Sequence, residues 1–189
     1  MSSTSVQSLV LGPYQTLLYA ISVIFMFGTL ICLMCVRNLC REYPTNYIIL
    51  LIFTLAVSYT VGLVTTQYQA ISVIYTCGMT VGISFVLTLY AIFTKTDFTT
   101  SGSVLISLLC VIIIASLFGI FIRNDTYNLI ISAGSAFVFS LYLIYDIQMV
   151  CGGSNRRNQL GPDEYICAAI NIYLDIINLF MDLLSIFGT

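Results

Sequence analysis

Long uncharged runs of apolar residues, separated by short polar breaks, dominate this chain. Between Tyr43 and Thr94 no aspartate, glutamate, lysine or arginine occurs over 52 positions. This length is too great for one membrane-spanning helix of about 20 residues and fits two helices joined by a turn. The pattern predicts six spans in all: Leu17–Val36, Tyr47–Thr66, Ala70–Phe93, Gly102–Ile122, Tyr127–Val150 and Glu164–Phe187. We therefore expect an all-α integral membrane protein whose residues 1–189 form a single transmembrane helical domain.

The composition supports a lipid bilayer as the main partner. Hydrophobic residues make up 59% of the chain and charged residues only 7%, against about 25% charged residues in soluble domains. The few charges lie in loops and form no basic patch, so a nucleic-acid partner is not expected. There is no histidine, and the single CxxC of Cys32 and Cys35 has no second ligand pair, so we predict neither a resident metal nor a cofactor. The seven cysteines are expected to act as small hydrophobic side chains without a disulfide framework.

The basic residues predict how the chain is oriented. If all six spans cross, five basic residues lie on one side: Arg37, Arg41, Lys95, Arg156 and Arg157. Only Arg123 lies on the other side. By the positive-inside rule the first side is cytosolic, which puts both termini on the lumenal or external side. Such a start lacks a preceding signal, so we expect a shortened form or fragment of a seven-helix protein.

Two aspartates inside predicted spans are the main candidates for function. Asp146 and Asp175 each lie in an otherwise apolar run, where a carboxylate costs roughly 2.5–3.5 kcal/mol on insertion scales. Counted along their helices, Asp146 lies roughly 6 Å and Asp175 roughly 16 Å from the cytosolic end. These depths agree only if the last helix begins beyond the membrane surface. If the two carboxylates meet, they would share a proton near neutral pH, and their hard oxygens would suit Ca²⁺ as a transported ion.

Four polar residues on the last predicted helix share one face. Asn171, Asp175, Asn178 and Asp182 are spaced by four, three and four residues. Asn171 and Asn178 are expected to form interhelical hydrogen bonds, and Asp182, near the helix end, to serve packing. Gly161, ahead of Pro162, is expected to cap the start of this helix.

Several stretches of the chain resemble the transmembrane BAX-inhibitor-motif family, and its Lifeguard branch in particular. They are REYPTNYIILLIFTLAVSYTVG, FTKTDFT, LYLIYDIQMVCGG and GPDEYICAAINIYLDIINLF. The last is similar to the family signature in which S-P-E-E-Y leads into L-Y-L-D-I-I-N-L-F, with Gly161 in place of the serine and Asp163 in place of the first glutamate. The six predicted helices resemble helices two to seven of the family's seven-helix bundle.

The resemblance implies a pH-sensitive Ca²⁺ leak channel of endomembranes that suppresses apoptosis, and no enzymatic activity. It implies that Asp146 and Asp175 form a paired site for the ion pathway and pH sensing, with Arg41 as gate partner and Arg37 as second choice. Arg41 could equally be only an interfacial charge that sets topology. The implied location is the endoplasmic reticulum or Golgi, with the plasma membrane as an alternative, and the implied partners include apoptosis regulators or receptors in the membrane.

Two other readings of the aspartates compete with a channel. An intramembrane aspartyl protease also needs two aspartates on neighbouring helices, but Asp175 is preceded by Ile172-Tyr173-Leu174 and not by the G-x-G that such enzymes carry. A non-conducting scaffold, which regulates apoptosis or receptor signalling through helix–helix contacts, is the stronger rival. The two cases differ in whether Asp175 lies in a hydrated cavity or in a dry hydrogen bond.

Overall fold

The chain is an all-α multi-pass membrane protein. The computed structural model describes residues 21, 43–122, 124–152, 156–161 and 164–188. Five long helices lie in these ranges: α1 (Thr45–Thr65), α2 (Ala70–Phe93), α3 (Gly102–Ile122), α4 (Asp125–Cys151) and α5 (Tyr165–Phe187). A short 3₁₀ helix, Phe98–Ser101, precedes α3. All five α-helices are long and apolar enough to cross a membrane.

The observed helices confirm five of the predicted spans. The bounds of α2 and α3 are those predicted, while α1, α4 and α5 differ from the prediction by at most two residues at either end. The sixth predicted span, Leu17–Val36, lies outside the described residues. The agreement follows from the solvent: in lipid a backbone must satisfy its own hydrogen bonds, so each apolar run long enough to cross becomes a helix.

The regular part of α5 begins later than the capping pattern predicts. Glu164, and not Gly161, is the residue before the first helical residue, Tyr165. The carboxylate of Glu164 still accepts a hydrogen bond from the Gly161 N–H at 3.4 Å. In a capping box, the side chain three residues after the cap bonds to the backbone N–H of the cap. Glu164 stands three residues after the expected cap, Gly161, and makes this bond. The expected chemistry is therefore present one turn before the regular helix.

The chain divides into two compact units, Met1–Ala70 and Ile71–Thr189. The described part of the first is essentially α1. In the second, α4 and α5 are the most buried spans, with 39% of their apolar windows buried against 6% for the span that contains α3. The α4–α5 contact is therefore the core of this unit, and α3 presents apolar side chains to lipid on most of its surface.

Two apolar clusters hold the second unit together. The larger cluster joins α2 to α4 and α5, and consists of Ala91, Leu143, Ile144 and Ile147, with Leu87, Phe98, Ile172 and Ile176 packed against it. The smaller cluster joins α4 to α5 and consists of Ala136, Leu179 and Leu183. These two clusters fix how α4 and α5 are aligned, and so decide which of their polar residues meet.

Candidate functional site

Several hydroxyl groups in the described helices bond to their own backbone. The acceptor is the carbonyl four residues earlier for Thr54, Thr60, Thr80, Thr88, Ser107 and Ser140, at 2.7–2.9 Å. Five buried side-chain atoms of the described residues lack any hydrogen-bond partner: the hydroxyls of Thr76, Ser84 and Tyr142 and the Oδ2 atoms of Asp175 and Asp182. Because buried polar atoms are normally paired, these exceptions mark where a function could reside.

Asp146 and Asp175 meet between α4 and α5. Both are buried, at 9% and 5% exposure, and their carboxyl groups lie within hydrogen-bonding reach of each other. Ionised carboxylates only accept hydrogen bonds, so this contact requires a proton on one of them. We call these two residues the aspartate pair. The arrangement can hold one shared proton, or exchange that proton for a cation.

The pair forms because α5 is shifted along its axis relative to α4. Asp146 precedes the end of α4 by five residues, whereas Asp175 follows the start of α5 by ten. Since these residues touch, α5 begins about 7 Å beyond the level at which α4 ends. The two predicted depths differ for this reason, and the last helix does start beyond the end of its neighbour.

The surroundings of the pair are apolar on the side of α2 and polar along α4. Ile172 and Ile176 flank Asp175 and pack against the larger cluster. One turn before Asp146, the Tyr142 hydroxyl is buried without a hydrogen-bond partner. The Oδ2 atom of Asp175 is likewise buried without a hydrogen-bond partner. The site therefore contains buried oxygen atoms that can still form hydrogen bonds, next to apolar side chains.

The other members of the predicted polar stripe have different environments. Asn171 is exposed. The side-chain amide of Asn178 donates to the Leu174 carbonyl in its own helix at 2.9 Å, and not to a neighbouring helix as predicted. Asp182 hydrogen-bonds with Ser135 of α4 and buries its Oδ2. Arg41, the predicted gate partner, and Arg37 lie outside the described residues.

Gln148 is an important residue that the sequence analysis missed. It is 1% exposed and lies half a turn beyond Asp146. Its Oε1 accepts from the Phe98 N–H at 2.9 Å, and its Nε2 donates to the carbonyls of Ala91 at 3.2 Å and Thr96 at 3.1 Å. A glutamine two residues from an intramembrane aspartate was the available signal. It ties the end of α4 to the turn between α2 and α3.

Arg156 completes this connection from the loop between α4 and α5. Its guanidinium donates to the carbonyls of Ala91 at 3.0 Å and Thr94 at 2.8 Å, and also to Thr96. The last carbonyls of a helix have no partner within it and carry partial negative charge, so a cation at the end of α2 is favourable. In the sequence alone, Arg156 is only one of the five basic residues that predict the topology.

Two further contacts fasten the same loop to the turn. The Arg157 N–H donates to Asp97 Oδ2 at 3.0 Å, and the Asn158 side chain donates to the Thr99 carbonyl at 2.8 Å. A hydrogen bond from the Thr99 hydroxyl, with support from the backbone N–H groups of Arg157 and Thr99 and the charge of Arg156, lowers the pKa of Asp97. The contacts of the docked loop therefore stabilise the ionised form of Asp97.

The described part of the chain has no cluster of histidine, cysteine and acidic side chains for a metal ion, and its cysteines are of two kinds, free and disulfide-bonded. No three histidine, cysteine, aspartate or glutamate side chains there come close enough to hold a metal ion together. Cys77, Cys110 and Cys151 are free and exposed. Cys167 is disulfide-bonded, so the expectation that the cysteines act only as small hydrophobic groups is wrong for this residue.

Comparison with known proteins identifies the family. Residues 1–189 match the family described as "Inhibitor of apoptosis-promoting Bax1". The chain is also similar to the Golgi anti-apoptotic proteins of vaccinia virus strains Lister, LC16m0 and LC16m8, each 36% identical over 161 residues. That alignment covers 85% of this chain and 65% of each relative, so the chain spans slightly less than two thirds of their length.

These matches agree with the resemblance seen in the four sequence stretches and with the multi-pass helical fold. They also exclude the protease reading, because the family is not enzymatic. The chain therefore belongs to the Bax-inhibitor family of non-enzymatic multi-pass membrane proteins.

Proposed function

We propose that this chain forms a pH-sensitive Ca²⁺ leak path in an endomembrane and suppresses apoptosis by doing so. The observation that carries the proposal is the hydrogen-bonding contact between two buried carboxyl groups at membrane depth. Carboxyl groups in a span are costly, face the protein interior and commonly mark ion or proton pathways. The described helices would correspond to the last five of the family's seven.

The aspartate pair would act as the gate. With one shared proton the two carboxyl groups hold α4 and α5 together and the path is shut. Loss of that proton leaves two negative charges side by side, which repel each other and attract a cation. Ca²⁺ prefers oxygen ligands, which the pair supplies. Flux should therefore rise as pH rises through the range in which the shared proton is lost.

Arg41 would be the gate partner that stabilises the shut state by its positive charge. This assignment rests on the family resemblance. Location in the Golgi membrane is proposed from the name of the viral relatives, with the endoplasmic reticulum as the alternative. Apoptosis regulators or receptors in the same membrane would be the protein partners.

Ca²⁺ flux into proteoliposomes across a pH series tests this proposal. Asp175→Asn keeps the shape but removes the charge, so flux should fall and lose its pH dependence. Asp146→Asn should shift the pH midpoint, because a lone carboxyl group no longer titrates as one of a pair. Arg41→Ala should raise the basal leak.

Asp125→Asn is the matched control, since Asp125 is an exposed residue in the first turn of α4. It should leave the flux and its pH profile as in the wild type. If Asp146→Asn and Asp175→Asn behave like this control, the carboxyl groups serve packing, and a non-conducting scaffold becomes the better description.

A further inference from the structure

Polar side chains face each other at two further levels of the α4–α5 contact, besides the aspartate pair. Two turns after the start of α4 and two residues before the end of α5, the Ser132 hydroxyl bonds to the Ser185 hydroxyl at 2.9 Å. One turn further inward, Ser135 bonds to the carboxylate of Asp182. We call Ser132–Ser185 the outer rung and Ser135–Asp182 the inner rung.

The rungs and the aspartate pair share one face of α4 and one face of α5. Along α4, Ser132, Ser135 and Asp146 are spaced by three and eleven residues, and α5 carries their partners in reverse order. Both intervals return to the same helix face. Asp182 follows Asp175 by seven residues, which places the inner rung about 10 Å from the aspartate pair along α5.

The outer rung opens into a recess between α3, α4 and α5. Its volume is about 370 Å³, and it is lined by Ser116, Gly119, Tyr127, Asn128, Ile131, Ser132 and Ser185. Since one water occupies about 30 Å³ of liquid, the recess can hold several waters. It lies at the start of α4 and the end of α5, the end of the bundle opposite to Arg156. The recess thus gives a hydrated ion room beside the outer rung.

Unused oxygen atoms point to an occupant at the α4–α5 contact. The Oδ2 atoms of Asp182 and Asp175 and the hydroxyl of Tyr142 are buried without hydrogen-bond partners, and Asp175 is 95% buried. An unpaired buried polar group is unfavourable, and more so when it is charged. A cation with its remaining waters beside Asp182 would give its Oδ2 atom a partner.

We propose that Asp182, together with Ser135, Ser132 and Ser185, forms a second site for a divalent cation, filled through the recess and in series with the aspartate pair. The inference rests on the proposed leak function and extends it. The donors are a carboxylate and hydroxyl groups, which are hard oxygen ligands suited to Ca²⁺. A single carboxylate gives weak binding, as a conducting site requires, because the ion must leave as readily as it enters. Asp182 is thus assigned to the path and not to packing.

Terbium luminescence tests the site without relying on conduction. Tb³⁺ replaces Ca²⁺ at oxygen sites and is excited through a nearby tyrosine, here Tyr127 in the recess. With the full chain in nanodiscs, the wild type should give a signal that Ca²⁺ competes away and that Tyr127→Phe reduces. Asp182→Asn should weaken Tb³⁺ binding at this site about tenfold, while Asp125→Asn should not. An Asp182→Asn variant that titrates like the wild type, or a signal independent of Tyr127, would refute the site.

Flux measurements then separate this inference from the proposed function. If both hold, Asp182→Asn lowers Ca²⁺ flux about tenfold and leaves the pH midpoint unchanged, whereas Asp146→Asn shifts it. Ser135→Ala should reduce flux in the same direction, which guards against misfolding of one variant. If Asp175→Asn abolishes flux but Asp182→Asn conducts like the wild type, the second site is wrong and the leak function stands. If the wild type does not conduct, the leak function fails, and a titration unchanged by Asp182→Asn would refute the second site as well.

Discussion

Replacement of Gln148 by leucine should destabilise the protein through one unpaired backbone group. Leucine is somewhat larger and branched, but it fills this buried position with apolar atoms, while the three hydrogen bonds of the amide are lost. The carbonyls of Ala91 and Thr96 keep their bonds from Arg156. Only the Phe98 N–H is left without its acceptor, which should cost about 1–3 kcal/mol.

Removal of Arg156 alone should cost less. In Arg156→Ala the Thr94 carbonyl loses its side-chain donor, while the two carbonyls that Arg156 shares with Gln148 stay bonded. Thr94 lies at the end of α2, where water can replace the lost donor. We expect less than about 1 kcal/mol, the usual value of a hydrogen bond that solvent can substitute.

The double variant is the informative one. With both Gln148 and Arg156 replaced, the Ala91 and Thr96 carbonyls lose every side-chain donor that either residue supplies. The double variant should therefore be destabilised by more than the sum of the single variants, with a coupling of about 1–2 kcal/mol. Reversible unfolding in mixed micelles, followed by far-ultraviolet circular dichroism, would measure all four proteins.

Additive effects of the two substitutions, within about 0.5 kcal/mol, would refute the shared-acceptor reasoning. Ser103→Ala is a suitable control for loss of a polar group in the same unit, because Ser103 is exposed near the start of α3. It should show no coupling with either substitution.

Three further outcomes follow from the described contacts. The hydrogen bond from Thr99 lowers the pKa of Asp97 from 3.8. The ionised Asp97 therefore contributes to stability above pH 4, and this contribution is lost as the pH falls below that value. The melting temperatures of wild type and Asp97→Asn should converge at low pH and separate near neutral pH. A Cβ atom on Gly102 would lie 3.0 Å from the Tyr145 hydroxyl. Gly102→Ala should therefore lower the melting temperature, at a cost of about 1 kcal/mol, and a second substitution, Tyr145→Phe, should restore it. Failure of that rescue would contradict the steric cause. Cys151 is free and exposed at the end of α4 that is predicted to be cytosolic. A membrane-impermeant maleimide should therefore label it from the cytosolic side only. Labelling from the lumen alone would reverse the predicted orientation.

The sequence by itself determined the five membrane-spanning helices of the described residues. Apolar runs such as Ala70–Phe93 and Gly102–Ile122 are long enough to cross a bilayer, and lipid leaves the backbone no alternative to a helix. The polar breaks between the runs set the ends to within two residues. The sequence also indicated which residues were costly in lipid, and so identified Asp146 and Asp175 before any contact was known.

Only the tertiary structure decided which polar groups meet. Depth counted along each helix separated Asp146 from Asp175, because hydropathy describes a helix against lipid and says nothing of its axial shift against a neighbour. That shift is set by the apolar clusters of α4 and α5, the larger one around Ile144 and the smaller one around Leu179. The same packing brings Gln148 and Arg156, eight residues apart in the chain, to the same two carbonyls. Such contacts depend on the geometry of several helices at once, which is why the pattern along one segment could not predict them.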